Sequence, residues 1–320
     1  MAAKMRRLGK SGIEVTPIGL GTWQFSEGKG GATGMWAAIA QKETDEIVKA
    51  ASDGGINWFD TAEMYGFGRS ERALSHGLQA AGVSVGHAVI ATKWSPFLRT
   101  ASSIRKTIGS RISNLSPYHL DLHQIHFPAS LSSRKAEMDA MADLLDAHKI
   151  RAVGVSNFSA PQMRKAHAAL ETRGYPLASN QVRYSLLDRS IEGNGVLDAA
   201  VELGTTIIAY SPLEMGLLTG KFHKDPGLLG RIPLMRRMRL KKEIEGSRPL
   251  VEALDAVAKS HEASVSQVAL AWTVGFHGET IVAIPGASKA SQAQESAKAM
   301  GLRLSSDEMA SIDELSATVT

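Results

Sequence analysis

The chain contains no cysteine. That absence excludes disulfide scaffolds, thiolate metal sites and cysteine nucleophiles. It suits a reducing compartment, so a cytoplasmic location is expected. No apolar run approaches the ~18–20 residues that a membrane span needs. The N-terminal Met1-Ala-Ala-Lys-Met-Arg-Arg leads into no long apolar stretch and predicts no secretory signal. Neither sign of charge is in large excess: 36 lysines and arginines stand against 32 acids. The one concentration is Arg231, Arg236, Arg237, Arg239, Lys241 and Lys242, with few aromatics interleaved and no nucleic-acid motif. Neither nucleic acid nor membrane is therefore expected as a partner, and the stretch reads equally as a solvated loop or as a loop attracting an anionic ligand. Two glycine signatures are missing as well. No Gly-x-x-x-x-Gly-Lys-Ser/Thr occurs, and Ile18-Gly-Leu-Gly21-Thr22-Trp23 lacks the third glycine of a dinucleotide-binding turn. The irregular glycine-rich stretch Glu27–Gly34 is expected to be a flexible loop over the mouth of the fold.

What is present is a series of short apolar runs: Ile18–Leu20, Ile56–Phe59, Ala88–Ala91, Leu120–Ile125, Ala152–Val155, Ala178–Val182, Thr206–Ala209 and Ile281–Ile284. Runs too short for helices and apolar on both faces predict buried parallel strands. Helix-period stretches lie between them, such as Ile104, Ile108, Ile112 and Leu115, or Met138, Met141 and Leu145. Ser159 before Pro161 and Ser266 before Val268 predict helix starts, and Gly54-Gly55 a helix stop. Eight strands alternating with helices close most simply as a (β/α)8 TIM barrel of ~250 residues. The expectation is one domain over 1–320 with its core at about 17–300. Its additions are an N-terminal hairpin (Met5–Leu8 with Ile13–Thr16), a long segment Met215–Gly246 after strand 7, and a C-terminal helix after Ser305.

In such a barrel the active site forms at the carboxyl ends of the strands. Reading those positions gives Asp60 with Tyr65 just beyond it, then Lys93, His126, Ser156-Asn157, Gln181, Tyr210-Ser211-Pro212 and Pro285-Gly286. Taken singly, Asp60 reads as a helix cap, Lys93 as half of a buried ion pair, Tyr65 as a loop anchor and His126 as a core histidine. A metal shared by His123 and His126 is not expected, because residues three apart on a strand point to opposite faces. The conjunction of acid, phenol, amine and imidazole at one end of three consecutive strands favours chemistry.

The chain resembles the aldo-keto reductase superfamily over about residues 6–315. The matching segments are Asn57-Trp-Phe-Asp60-Thr-Ala-Glu-Met-Tyr65-Gly, Ala91-Thr-Lys93, Asp121-Leu-His-Gln-Ile-His126, Gly154-Val-Ser-Asn-Phe158, Tyr210-Ser-Pro-Leu213 and Ile284-Pro-Gly286. Gly216-Leu-Leu-Thr-Gly-Lys221 is most similar to the bacterial branch related to potassium-channel β subunits. Three positions depart from the family's pattern: His123 for tyrosine, Ala129 for an acid and Ser296 for asparagine.

The resemblance implies NADPH as cofactor and a small carbonyl compound as substrate. Tyr65 would be general acid, its pKa lowered by Lys93, with Asp60 keeping Lys93 charged and His126 orienting the carbonyl. It places Gly21, Thr22 and Trp23 beside the cofactor and gives the nicotinamide to Ser156, Asn157, Gln181 and Tyr210. It gives the pyrophosphate to Ser211, Pro212, Leu213, Gly216 and Leu218. The 2′-phosphate and adenosine fall to Gly286, Ser288, Lys289, Gln292, Glu295 and Ser296. Trp23, Trp94 and Phe127 are expected to wall the substrate pocket, and the segment from Gly216 to Gly246 to clasp the cofactor. Two other readings stay open: a weakly catalytic, redox-sensing regulatory subunit, and a dehydrogenase working in the oxidative direction. Oligomeric state is not legible.

Overall fold

In the computed structural model of the protein the described residues are 4–29 and 35–319. Residues 30–34 fall outside them, and with them most of the expected glycine-rich loop. A hairpin of β1 (Arg6–Arg7) and β2 (Glu14–Val15) precedes eight parallel strands that stand in chain order in one sheet. These are β3 (Leu20–Gly21), β4 (Trp58–Asp60), β5 (Val89–Trp94), β6 (Leu122–Ile125), β7 (Ala152–Ser156), β8 (Leu177–Arg183), β9 (Thr206–Tyr210) and β10 (Ile281–Ala283). The sheet closes where Gly19 N donates to Ala283 O at 2.8 Å and Gly21 N to Pro285 O at 3.1 Å. The architecture is the (β/α)8 barrel. Several strands run on past their apolar stretch at the carboxyl end, through Asp60, Lys93, Ser156, Arg183 and Tyr210, so polar residues keep strand geometry there.

Side-chain alternation then sorts the residues. On β5, Ala91 packs inside the barrel while Ile90 and Trp94 pack outward against the helices. Beneath the barrel, Leu8, Ile13 and Val15 of the hairpin pack with Trp58, Leu122, Ile208 and Val282 and plug the amino-terminal end. The larger core lies between strands and helices. Ser159, with Pro161 in the first turn, opens the helix Ala160–Glu171 as expected. One start is corrected. The helix Val265–Gly275 is capped by Ser264 with Gln267 in a reciprocal capping box, so Ser266 lies inside it.

The basic stretch is also corrected from loop to helix. After two short 3-10 segments, Glu214–Thr219 and Pro226–Arg231, the chain enters a 27-residue helix, Leu234–Ser260, and Leu240 and Ile244 bury its inner face against Leu217 and Phe222.

Gly19 shows how tightly the plug is packed. A Cβ there would stand 2.4 Å from Trp58 Cε2, and the fully buried indole is fixed by donating Nε1 to Thr16 O at 2.9 Å. Gly19→Ala is therefore predicted to lower unfolding stability by about 1–3 kcal/mol. An unchanged urea midpoint would contradict this packing.

Candidate active site

Asp60 ends β4 and Lys93 stands next to last on β5, both fully buried. The Lys93 ammonium donates to Asp60 Oδ1 and, at 2.9 Å, to the Thr61 carbonyl. Asp60 Oδ2 accepts from Gln181 Nε2 at 2.9 Å and Gln124 Nε2 at 3.2 Å. A buried charge pair persists only when its remaining donors and acceptors are met. These two amides supply what the carboxylate lacks. Gly154 makes room for them, since a Cβ there would fall 2.3 Å from Ser179 Oγ and 3.0 Å from Gln124 Cγ.

The third direction from the ammonium leads to Tyr65 Oη at 3.5 Å. Tyr65 sits on a short turn closed by its N–H to Ala62 O at 3.0 Å. Glu63 anchors that turn to β5: its N–H donates to Lys93 O at 3.1 Å, while its carboxylate accepts from Ser95 N–H at 3.0 Å and pairs with Arg99 and Arg111. His126 follows β6, two residues after Gln124 and so on the same side. Its ring meets Tyr65 edge-on at 5.8 Å and stacks on Phe127 at 4.5 Å. Asn157 holds the left-handed conformation (φ 60°), which asparagine tolerates. From there its Nδ2 donates to His126 O at 3.1 Å and its Oδ1 accepts from Tyr210 Oη at 3.0 Å.

Burial is the largest single influence on the titration of all three groups, and it sets the direction for Tyr65 and His126. It pushes the Tyr65 phenol above its ordinary pKa; the Lys93 charge opposes that shift and the Asp60 charge adds to it. The expected lowering by Lys93 is thus present but outweighed by desolvation. Burial alone would pull Lys93 down, yet Asp60, with Tyr65, more than reverses it, and the amine stays charged. His126 lies well below the ordinary histidine value, first through burial and then through the nearby Lys93 charge, so its ring is neutral. His123, facing the other way, is pushed down to about 3 by burial.

A cavity of about 880 Å³ opens above this set. Asp60, Tyr65 and His126 line it, with Lys93 beneath them. From the strand ends come Gly21, Thr22, Trp23, Ser156, Asn157, Gln181 and Tyr210. Ser211, Pro212, Leu213 and Gly216 follow β9, and Gly286, Ser288, Gln292, Glu295 and Ser296 follow β10; Phe127 stands on the wall. Three expected residues are placed elsewhere. Trp94 follows inward-facing Lys93 by one residue, so it points outward, buried against the helices with Nε1 donating to Ser103 Oγ at 3.1 Å. Leu218 is fully buried in the core, and Lys289 is exposed outside the lining.

Other lining residues carried no signal in the sequence reading. Gln24, Trp36, Met64 and Phe97 belong here, and Trp36 meets Trp23 edge-on at 5.8 Å; Lys221 and Arg239, from the segment expected to clasp the cofactor, also line the cavity. Of the basic stretch, Arg236 turns inward, its guanidinium 4.5 Å over the Trp36 ring and donating to Met215 O. Gln124 had a signal: it stands on β6 two residues before His126, which continues the same alternation.

Comparison with known proteins agrees with this fold. The model of the aldo/keto reductase family matches residues 17–317, and the chain belongs to that family. It is 38% identical to an oxidoreductase of Mycobacterium tuberculosis, covering 94% of this chain and 90% of that protein. It is 31% identical to the chloroplastic pyridoxal reductase of Arabidopsis thaliana, covering 94% and 83%. The crystal structure of an aldo/keto reductase from Klebsiella pneumoniae, in complex with NADP and acetate, superposes with a TM-score of 0.75 at 25% identity, covering 98% of this chain and 95% of that one.

The burial of His126 makes a prediction that does not depend on catalysis. Its ring should stay neutral across about pH 5 to 8 in an NMR titration. A midpoint near the ordinary value of 6.5 would contradict the described burial.

Proposed function

We propose that the chain is an NADPH-dependent carbonyl reductase in which Tyr65 donates the proton. The observation that carries this reading is the fully buried Lys93–Asp60 pair set against Tyr65 at the foot of the large cavity. Such a pair contributes little to stability in its own right. Perturbed titratable groups in a cleft mark acid–base work.

The remainder of the cavity suits a dinucleotide phosphate. Lys221 and Arg236 line it without a carboxylate partner among the described residues, and Arg236 Nε is buried without a hydrogen bond. An anionic group fits such donors. Ser156, Asn157 and Gln181 offer polar partners for a carboxamide, and Tyr210 a flat ring held by Asn157. Ser288, Gln292, Glu295 and Ser296 line the end of the cavity where the adenosine would lie. The relative solved with NADP supports the same choice.

When bound, the reduced nicotinamide supplies a hydride to the carbonyl carbon. The chain's own work is on the oxygen. Tyr65, kept protonated at neutral pH by its raised pKa, donates to the oxygen as negative charge develops. Lys93 stabilises the phenolate left behind, and Asp60 holds that ammonium in place and charged. Neutral His126 hydrogen-bonds the carbonyl oxygen and aims it at Tyr65. Trp23, Phe97 and Phe127 give the substrate side an apolar wall, favouring aromatic or medium-chain aldehydes and ketones. Run backwards, the Tyr65 phenolate would take the alcohol proton while an oxidised nicotinamide accepts the hydride.

Tyr65→Phe should lower the rate of carbonyl reduction by about 10²–10⁴-fold, with cofactor affinity by fluorescence titration little changed. Activity within a few-fold of the unaltered chain would sink the assignment.

A further inference from the structure

Ten large apolar side chains are exposed among the described residues, and they are not spread evenly. Seven stand at the carboxyl end of the barrel. Phe67, Phe97, Leu98 and Leu131 lie in the loops after β4, β5 and β6; Leu234, Met235 and Met238 open the helix Leu234–Ser260 at that same end. Leu98 is 90% exposed, and Met235 and Met238 are 60% exposed each. Phe97 also lines the cavity, but the other six have no place in it.

The helix shows what kind of surface this is. Leu240, Ile244 and Ser247 face inward, so Leu234, Met235 and Met238 stand on the opposite side by helical periodicity. Arg231, Arg237, Lys241 and Lys242 border them, and none of these four makes an ion pair among the described residues. Of the nearby acids, Glu243 lies 3.9 Å from Arg239 and Glu245 is taken by Arg248 at 3.1 Å. The strip is therefore apolar, with a cationic border that no acid among the described residues neutralises.

The complementary surface has an apolar interior under a negative skin. An anionic bilayer meets both demands: leucine and methionine reach the acyl boundary while lysine and arginine meet headgroup phosphates. A second copy docked symmetrically on this face would set cation against cation. Nucleic acid would satisfy the cations and leave the apolar strip uncovered.

We infer that the cavity rim, led by the first turns of the helix Leu234–Ser260, docks on an anionic phospholipid surface with the cavity mouth toward the lipid. The contact is peripheral, since no helix of the described residues is long and apolar enough to cross a membrane. It rests on surface side chains alone and is independent of the reductase reading.

The test is flotation of the full chain with vesicles of phosphatidylcholine, made with and without phosphatidylglycerol. Binding should require phosphatidylglycerol and weaken as salt is added. It should fall on the order of tenfold or more in Lys241→Glu/Lys242→Glu and in Met235→Asp/Met238→Asp. All four positions are exposed or outward-facing and outside the cavity lining, so both variants should keep the unaltered chain's circular dichroism melt. Equal flotation with both vesicle types, or undiminished binding by either variant, would overturn the inference. So would a dimer in sedimentation that Met235→Asp/Met238→Asp abolishes, which would assign the face to a second copy. Tighter binding to labelled duplex DNA than to the vesicles would overturn it too.

Discussion

An ammonium and a carboxylate fully withdrawn from water set the terms for the rest of this site. Each charge, left alone at that depth, would neutralise or unfold its surroundings, so each must be held against the other and against further polar groups. The barrel meets the demand from four directions. β4 brings Asp60 and the Thr61 carbonyl, β5 brings Lys93, and β6 and β8 bring the amides of Gln124 and Gln181. Tyr65 is what remains in reach of the ammonium, and it is the member of this set that carries a transferable proton into the cavity. The pair's orientation thus follows from satisfying its own burial, and the site's polarity follows from the pair.

The same constraint explains how the molecule divides its work between its two ends. At the amino-terminal end the barrel interior is mostly apolar and closed by the hairpin, whose Gly9 N–H and Arg7 carbonyl bond the buried Thr206 hydroxyl, with Gly19 and Trp58 in close contact. At the carboxyl end the strands continue into polar residues, the backbone turns through left-handed residues such as Asn157 and Ser211, and a cavity opens. Stability resides at one end and strained, polar geometry at the other. The long helix after β9 belongs to the carboxyl end: Leu240 and Ile244 tie it to Leu217 and Phe222 while Arg236 leans over Trp36 at the mouth.

Much of this was legible in the sequence because buried parallel strands are apolar on both faces and announce themselves as short runs. The first polar residues after those runs then name the site. Where the reading failed, a physical signal was missing or overlooked. Trp94, expected on the pocket wall, follows inward-facing Lys93 by one residue, and period-two alternation sends it outward. Gln124 was missed although it shares a face with His126. Ser264 and Gln267 spell a capping box that starts the helix two residues before the expected Ser266. The contact of Arg236 with Trp36 had no sequence signal, because only the closed barrel brings residues 200 positions apart together. The direction of the Tyr65 shift was equally hidden. Sequence shows a lysine to lower it, but the larger desolvation appears only with burial.

Asp60 and Lys93 thus act as one buried unit whose members depend on each other. A double-mutant cycle by urea unfolding of Asp60→Asn, Lys93→Met and the combined variant tests it directly. The account predicts that each single substitution loses about 3–5 kcal/mol, with the combined variant recovering most of that loss. Losses that simply add would show two independent side chains and contradict the account.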